Sequence, residues 1–137
     1  MSSSARALVA GHGTFAEGVL SAVAQISGRA ELFVALSNTG LGAAEIAEVL
    51  RAQLDETGAT VIFTDLPAGS WTIAARRLLR ERSDLVLVTG TNLATLLDFS
   101  FHEGLAAEAA RHAAEKGRAA LVATGGDVRT GEGSGAT

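Results

Sequence analysis

His12 has the setting best suited to chemistry: it lies between Gly11 and Gly13 in the run ALVAGHGTFAE. Four small apolar residues, Ala7 to Ala10, precede it and read as a buried strand. Thr14 and Glu17 follow with the Thr-x-x-Glu spacing of a capping box, so a helix begins at once. His12 therefore belongs on the tight turn between a strand's carboxyl end and a helix's amino end. Its glycine neighbours keep Cβ atoms away and let the backbone approach a ligand. Helix amides and the helix dipole point at any anion held on the imidazole. A histidine so placed suits carrying a phosphoryl group. The same Gly-His-Gly also makes an ordinary strand–helix turn.

Asp65 is the second candidate. It ends the apolar run Val61 to Thr64 and opens the loop Leu66-Pro67-Ala68-Gly69. When one imidazole nitrogen attacks phosphorus, the other must keep its proton and its orientation. A carboxylate accepting that N–H fixes the tautomer and stabilises the developing charge. Asp65 suits this role for His12, and suits equally the role of a turn residue before Pro67. Ser70, Thr91 and Asn92 are placed either to hydrogen-bond a phosphate or to cap helices. Other constellations fail. There is no G-x-x-x-x-G-K-[ST], no G-x-G-x-x-G after the first strand and no G-x-S-x-G. His12, His102 and His112 lack metal-ligand spacing, and the last two read as surface residues. No metal and no cofactor is expected.

The elements that must position these residues alternate regularly. Strands are expected at Ala7 to Ala10, Leu32 to Leu36, Val61 to Thr64 and Leu85 to Val88. Helices are expected near Phe15 to Ile26, Ala43 to Leu54, Trp71 to Arg82, Leu93 onward and Glu103 to Lys116. In the first helix Phe15, Val19, Ala22, Val23 and Ile26 form the apolar stripe; in the third, Trp71, Ala74, Ala75, Leu78 and Leu79 do. Gly28 and Gly58 are placed to end helices, and Ser70 and Asn92 to start them. Ala119 to Thr124 reads as a short final strand. Residues 125–137, GGDVRTGEGSGAT, read as a flexible tail behind a single domain spanning 1–124.

Continuous apolar strands alternating with helices indicate a parallel sheet covered on both faces. Short right-handed crossovers make it doubly wound and flavodoxin-like, with strand order 2-1-3-4. Ligands in such sheets bind where the strand order reverses, here between the first and third strands. His12 and Asp65 end those two strands, so two residues far apart in sequence meet at the expected crevice.

Composition bounds the partners. The 137 residues are 47% hydrophobic and 19% charged, with net charge −4 and no cysteine. That fits one globular domain, excludes disulfides and gives no basic surface for nucleic acid. No apolar run approaches a signal core or a membrane span, so a cytoplasmic location is the expectation.

The chain resembles the IIA domain of the mannose family of the bacterial phosphoenolpyruvate-dependent sugar phosphotransferase system. The matching runs are Gly11-His12-Gly13-Thr14-Phe15-Ala16-Glu17-Gly18, Phe63-Thr64-Asp65-Leu66, Gly69-Ser70 and Thr89-Gly90-Thr91-Asn92-Leu93. Their tone is closest to the N-acetylgalactosamine-type branch. The resemblance implies a phosphotransferase component in which His12 accepts phosphate from the phosphocarrier protein HPr and passes it to a IIB component during sugar uptake. It implies that Asp65 supports His12, and that Gly13, Thr14, Gly69, Ser70 and Asn92 surround the phosphate. It also implies a homodimer that exchanges an antiparallel C-terminal strand, the segment Ala119 to Thr124. One run departs from the family pattern: Ala68 stands where a glycine is usual and Trp71 where a proline is usual. Trp71 is thereby expected to bring a large ring to the mouth of the site. Two other readings of the residues stand beside the carrier: a regulatory phosphoprotein uncoupled from transport, and a small-molecule-binding α/β domain without phosphoryl transfer.

Overall fold

The computed structural model describes residues 5–126. Its centre is a four-stranded parallel sheet of order β2-β1-β3-β4, formed by β1 (Ala7–Gly11), β2 (Phe33–Ser37), β3 (Val61–Thr64) and β4 (Val86–Val88). Ala7 pairs with Phe33 on one side and Val61 on the other, and Val61 pairs with Val86. Every residue of β1 and β3 is buried, as their continuous apolar sequences require. Strand order reverses between β1 and β3, as the alternation of elements predicts.

Five helices cover the sheet: α1 (Phe15–Ser27), α2 (Ala43–Thr57), α3 (Ser70–Glu81), α4 (Leu93–Phe101) and α5 (Ala106–Ala120). Alternate strand residues divide the core in two. Ala7, Val9, Val61 and Phe63 face α1, α4 and α5. Leu8, Ala10 and Ile62 face α2 and α3. On the first face Phe63 meets Phe99 edge-on with centroids 5.2 Å apart, and Phe33 lies 5.6 Å from Phe99. Gly28 and Gly58 end α1 and α2 with φ of 70° and 75°, as expected of helix-terminating glycines. No described helix is long and apolar enough to cross a membrane.

Several local expectations are revised. Thr14 caps α1, but its side chain makes no capping bond, because its backbone (φ −97°, ψ 19°) is not the extended one a capping box needs. The turn closes instead through Phe15 N–H and the His12 carbonyl. Ser70 is the first residue of α3 and Gly69 its cap, with φ 115°, a conformation reserved for glycine. The buried stripe of α1 is Ala16, Leu20 and Val23, while Ile26 is 58% exposed.

The carboxyl end differs most. α5 begins at Ala106 and runs through Ala120, so Ala119 and Ala120 are helical, and 121–124 form no strand. An alanine-rich run favours helix, and a strand needs a ladder partner, which exchange would put in a second chain. Leu121 and Val122 are 85% and 72% exposed. Of the expected tail, 127–137 lie outside the described residues.

Candidate functional site

His12 stands one residue beyond β1, and Asp65 one residue beyond β3. The Asp65 Oδ2 atom lies 2.8 Å from His12 Nδ1 and accepts the His12 backbone N–H at 2.9 Å. One carboxylate oxygen thus holds both the ring and the main chain of His12. Burial pushes the Asp65 carboxyl up, but hydrogen bonds from the His12 side chain and backbone outweigh it and hold the group below the usual carboxylate range. The ionised carboxylate can only accept, so it takes the Nδ1 proton, and in the neutral ring the lone pair then falls on Nε2. The imidazole is 47% exposed and the Asp65 side chain 12%, which leaves the ring open to a reactant over a sheltered support.

Three glycines make this geometry possible. A Cβ on Gly11 would lie 2.6 Å from the Phe15 ring and 3.2 Å from Asp65 Oδ2. A Cβ on Gly69 would lie 3.4 Å from His12 Cε1, so the amino end of α3 is pressed against the imidazole. The first amides of a helix have no intrahelical acceptor and suit an anion. Gly13 takes φ 54° and is held on both sides from the end of β2 and the residue that follows it. Its N–H donates to Asn38 Oδ1 at 3.3 Å, and its carbonyl accepts the Ser37 hydroxyl at 2.8 Å.

Beneath the loop after β3, the Thr72 hydroxyl donates to the Leu66 carbonyl at 2.6 Å and lies 2.7 Å from the Thr64 hydroxyl. These bonds tie the end of β3 to the start of α3. Trp71 does not reach the mouth of the site. At the first turn of α3 it points inward, is 1% exposed, and donates its indole N–H to the Gly11 carbonyl at 3.2 Å.

Of the sequence-derived site residues, the fold brings together His12, Asp65, Gly13 and Gly69. Thr14 is exposed at the start of α1. Ser70 opens α3 and lines a cleft with Ala43, Ala47, Ile73 and Arg77, on the α2 side. Asn92, expected beside a phosphate, is committed elsewhere: its Oδ1 accepts Thr95 N–H at 2.9 Å and its Nδ2 donates to the Gly117 carbonyl at 2.9 Å. Its amide caps α4 and ties that helix to α5. Ser37 and Asn38 read in sequence only as turn residues, although their position at the end of β2, beside β1, is the signal that places them here.

A second histidine–carboxylate pair lies between α4 and α5. His112 Nδ1 is 2.7 Å from Asp98 Oδ2, and the His102 ring lies 5.1 Å from that of His112. His112 is half-exposed, as expected of a surface residue, but His102 Nδ1 is buried without a hydrogen-bond partner.

Residues 6–116 match the family of the PTS system fructose IIA component. Among solved structures, the mannose/sorbose specific IIA subunit of the phosphotransferase system from Enterococcus faecalis is 20% identical, with TM-score 0.76 over 90% of this chain and 97% of that one. The PTS IIA protein associated with the fucose utilization operon from Streptococcus pneumoniae is 24% identical, with TM-score 0.73 over 90% and 96%. Phosphotransferase system component EIIA from Streptococcus agalactiae is 20% identical, with TM-score 0.74 over 86% and 95%. At these identities the likeness establishes the fold. No curated protein matches the chain.

Proposed function

The chain belongs to the family of PTS system fructose IIA components, and from that premise we propose that it is the carrier that takes a phosphoryl group from HPr onto His12 and passes it to a IIB component during sugar uptake. The observation that carries this reading is the Asp65 carboxylate holding both Nδ1 and the backbone N–H of a half-exposed His12. The Nε2 lone pair attacks phosphorus of the HPr phosphohistidine. A new N–P bond forms as the N–P bond of the donor breaks, and the electron pair returns to the donor imidazole. Asp65 stabilises the positive charge that His12 acquires. The phosphoryl oxygens face the Thr14 amide and the amino end of α3 at Gly69 and Ser70, beside Gly13, whose own N–H is held by Asn38. Transfer to the IIB component reverses these steps toward a new acceptor.

The same reading includes a homodimer. The outer edge of β4 borders an open cleft of about 260 Å³ lined by Val86, Leu87, Val88, Ala110 and Arg118. Unpaired edges are generally covered, and Leu121 and Val122, just past α5, are exposed. A twofold partner that lays this segment along β4 covers both edges at once. The carrier then works in the cytoplasm, as the 1–124 domain, beside its membrane transporter.

Incubation with phosphoenolpyruvate, the system's first enzyme and HPr should place an acid-labile, base-stable phosphate on the chain. Its absence would overturn the reading. Sedimentation at micromolar concentration should give a dimer; a monomer would remove the strand exchange.

A further inference from the structure

We propose that Trp71 is a positioning residue for His12, acting through the peptide group that joins Gly11 to His12. The inference rests on the phosphocarrier reading for its functional consequence, but not for its geometry. The carbonyl of that peptide accepts the Trp71 indole N–H at 3.2 Å, and its N–H donates to Asp65 Oδ2 at 2.9 Å. A single peptide plane is therefore clamped from α3 on one side and from the end of β3 on the other. The clamp lies at the edge of the sheet's support. Pairing of β1 with β3 ends at Ala10 and Thr64, and pairing with β2 ends at Gly11 and Ser37, so His12 is the first residue beyond both ladders. Gly11, lacking a Cβ, has no side chain of its own to fix the peptide.

The indole is well suited to this task. Trp71 is 1% exposed and packs among Leu8, Ala10, Ile46 and Ala75 on one face of the sheet. Its ring cannot swing away without opening a cavity, so the N–H is delivered in a fixed direction. Hydrogen bonds to the two ends of one peptide polarise each other. The Trp71 donor therefore strengthens the Asp65 bond to His12 N–H, and Asp65 in turn holds Nδ1. Substitution at Trp71 acts on the imidazole without touching it.

Trp71 is the chain's single tryptophan and there is no tyrosine. Biosynthetic replacement by the benzothiophene analogue of tryptophan therefore changes one site, keeping the ring shape and removing the donor. Nitrogen-15 NMR of the full chain, without any phosphate donor, should then show shifts at the His12 backbone amide and imidazole nitrogens. Phosphorylation of His12 from phospho-HPr should slow about three- to tenfold, the fold-change expected of one neutral hydrogen bond. Leu78→Ala, a buried change in the same helix, should lower the melting temperature yet leave the His12 resonances in place. Unchanged His12 resonances in the analogue protein would overturn the proposal. Failure of the unmodified chain to take phosphate would instead count against the carrier reading, and the NMR comparison would still decide the clamp.

Discussion

Among the described residues two histidine–carboxylate pairs stand out, and they are nearly the same as pairs. His12 Nδ1 lies 2.8 Å from Asp65, and His112 Nδ1 lies 2.7 Å from Asp98. The imidazoles are 47% and 49% exposed, the carboxylates 12% and 20%. What differs is the backbone around them. His12 follows a strand at the switch point, between two glycines, with the amino end of α3 against its ring. His112 sits within α5, and Asp98 is near the carboxyl end of α4, where carbonyls favour cations. The Arg6 guanidinium already takes the His102 and Gly104 carbonyls there. The pair alone sets a tautomer; in the proposed carrier it is the surrounding amides that offer phosphate a place.

That contrast is open to breaking. The largest expected effect is all-or-none: His12→Ala abolishes phosphate incorporation, while His112→Ala leaves it intact. Label that persists in the first variant, or disappears in the second, reverses the assignment. Next in size, Asp65→Asn in a folded protein slows transfer by as much as about 10⁴-fold, because an amide can donate where the carboxylate accepts and so favours the wrong tautomer. Asp98→Asn leaves the rate unchanged. Stopped-flow transfer from phospho-HPr measures both.

Gly11→Ala tests the close approach. Its Cβ would meet the Phe15 ring and Asp65 Oδ2, and an overpacked site typically costs about 1–3 kcal/mol. Transfer falls with stability, and denaturant titration separates the two.

Acid sharpens the difference further. The Asp65 pKa is lowered in the folded state. A lowered folded pKa contributes stability that is present above the unfolded carboxyl value, about 4, and lost as pH falls through the folded value. Melting temperature should therefore decline below about pH 4, and Asp65→Asn should flatten that limb. An unchanged acid limb in the variant would show that the carboxylate is not held by His12. The smallest effect belongs to Asn92. Asn92→Ala removes a cap and the tie to Gly117, costing about 1–2 kcal/mol in unfolding free energy, with His12 phosphorylation unaffected.

Much of this molecule was legible in its sequence because the informative signals are local. Continuous apolar runs mark buried parallel strands, and glycines at 28 and 58 end helices, so the 2-1-3-4 sheet follows. Once that order is known, the topology itself brings His12 and Asp65 to one crevice. Side-chain commitments are not local. The apolar stripe already put Trp71 on the inner face of α3, but only the packing of that helix beside the end of β1 decides that its indole N–H meets the Gly11 carbonyl. Asn92 reads equally as phosphate ligand or cap, and the close packing of α4 on Gly117 decides for the cap. Ser37 and Asn38 matter because β2 lies beside β1, which no turn propensity reveals. The segment after α5 depends on what it can pair with: its composition permits helix or strand, and a strand forms only where a ladder partner is present.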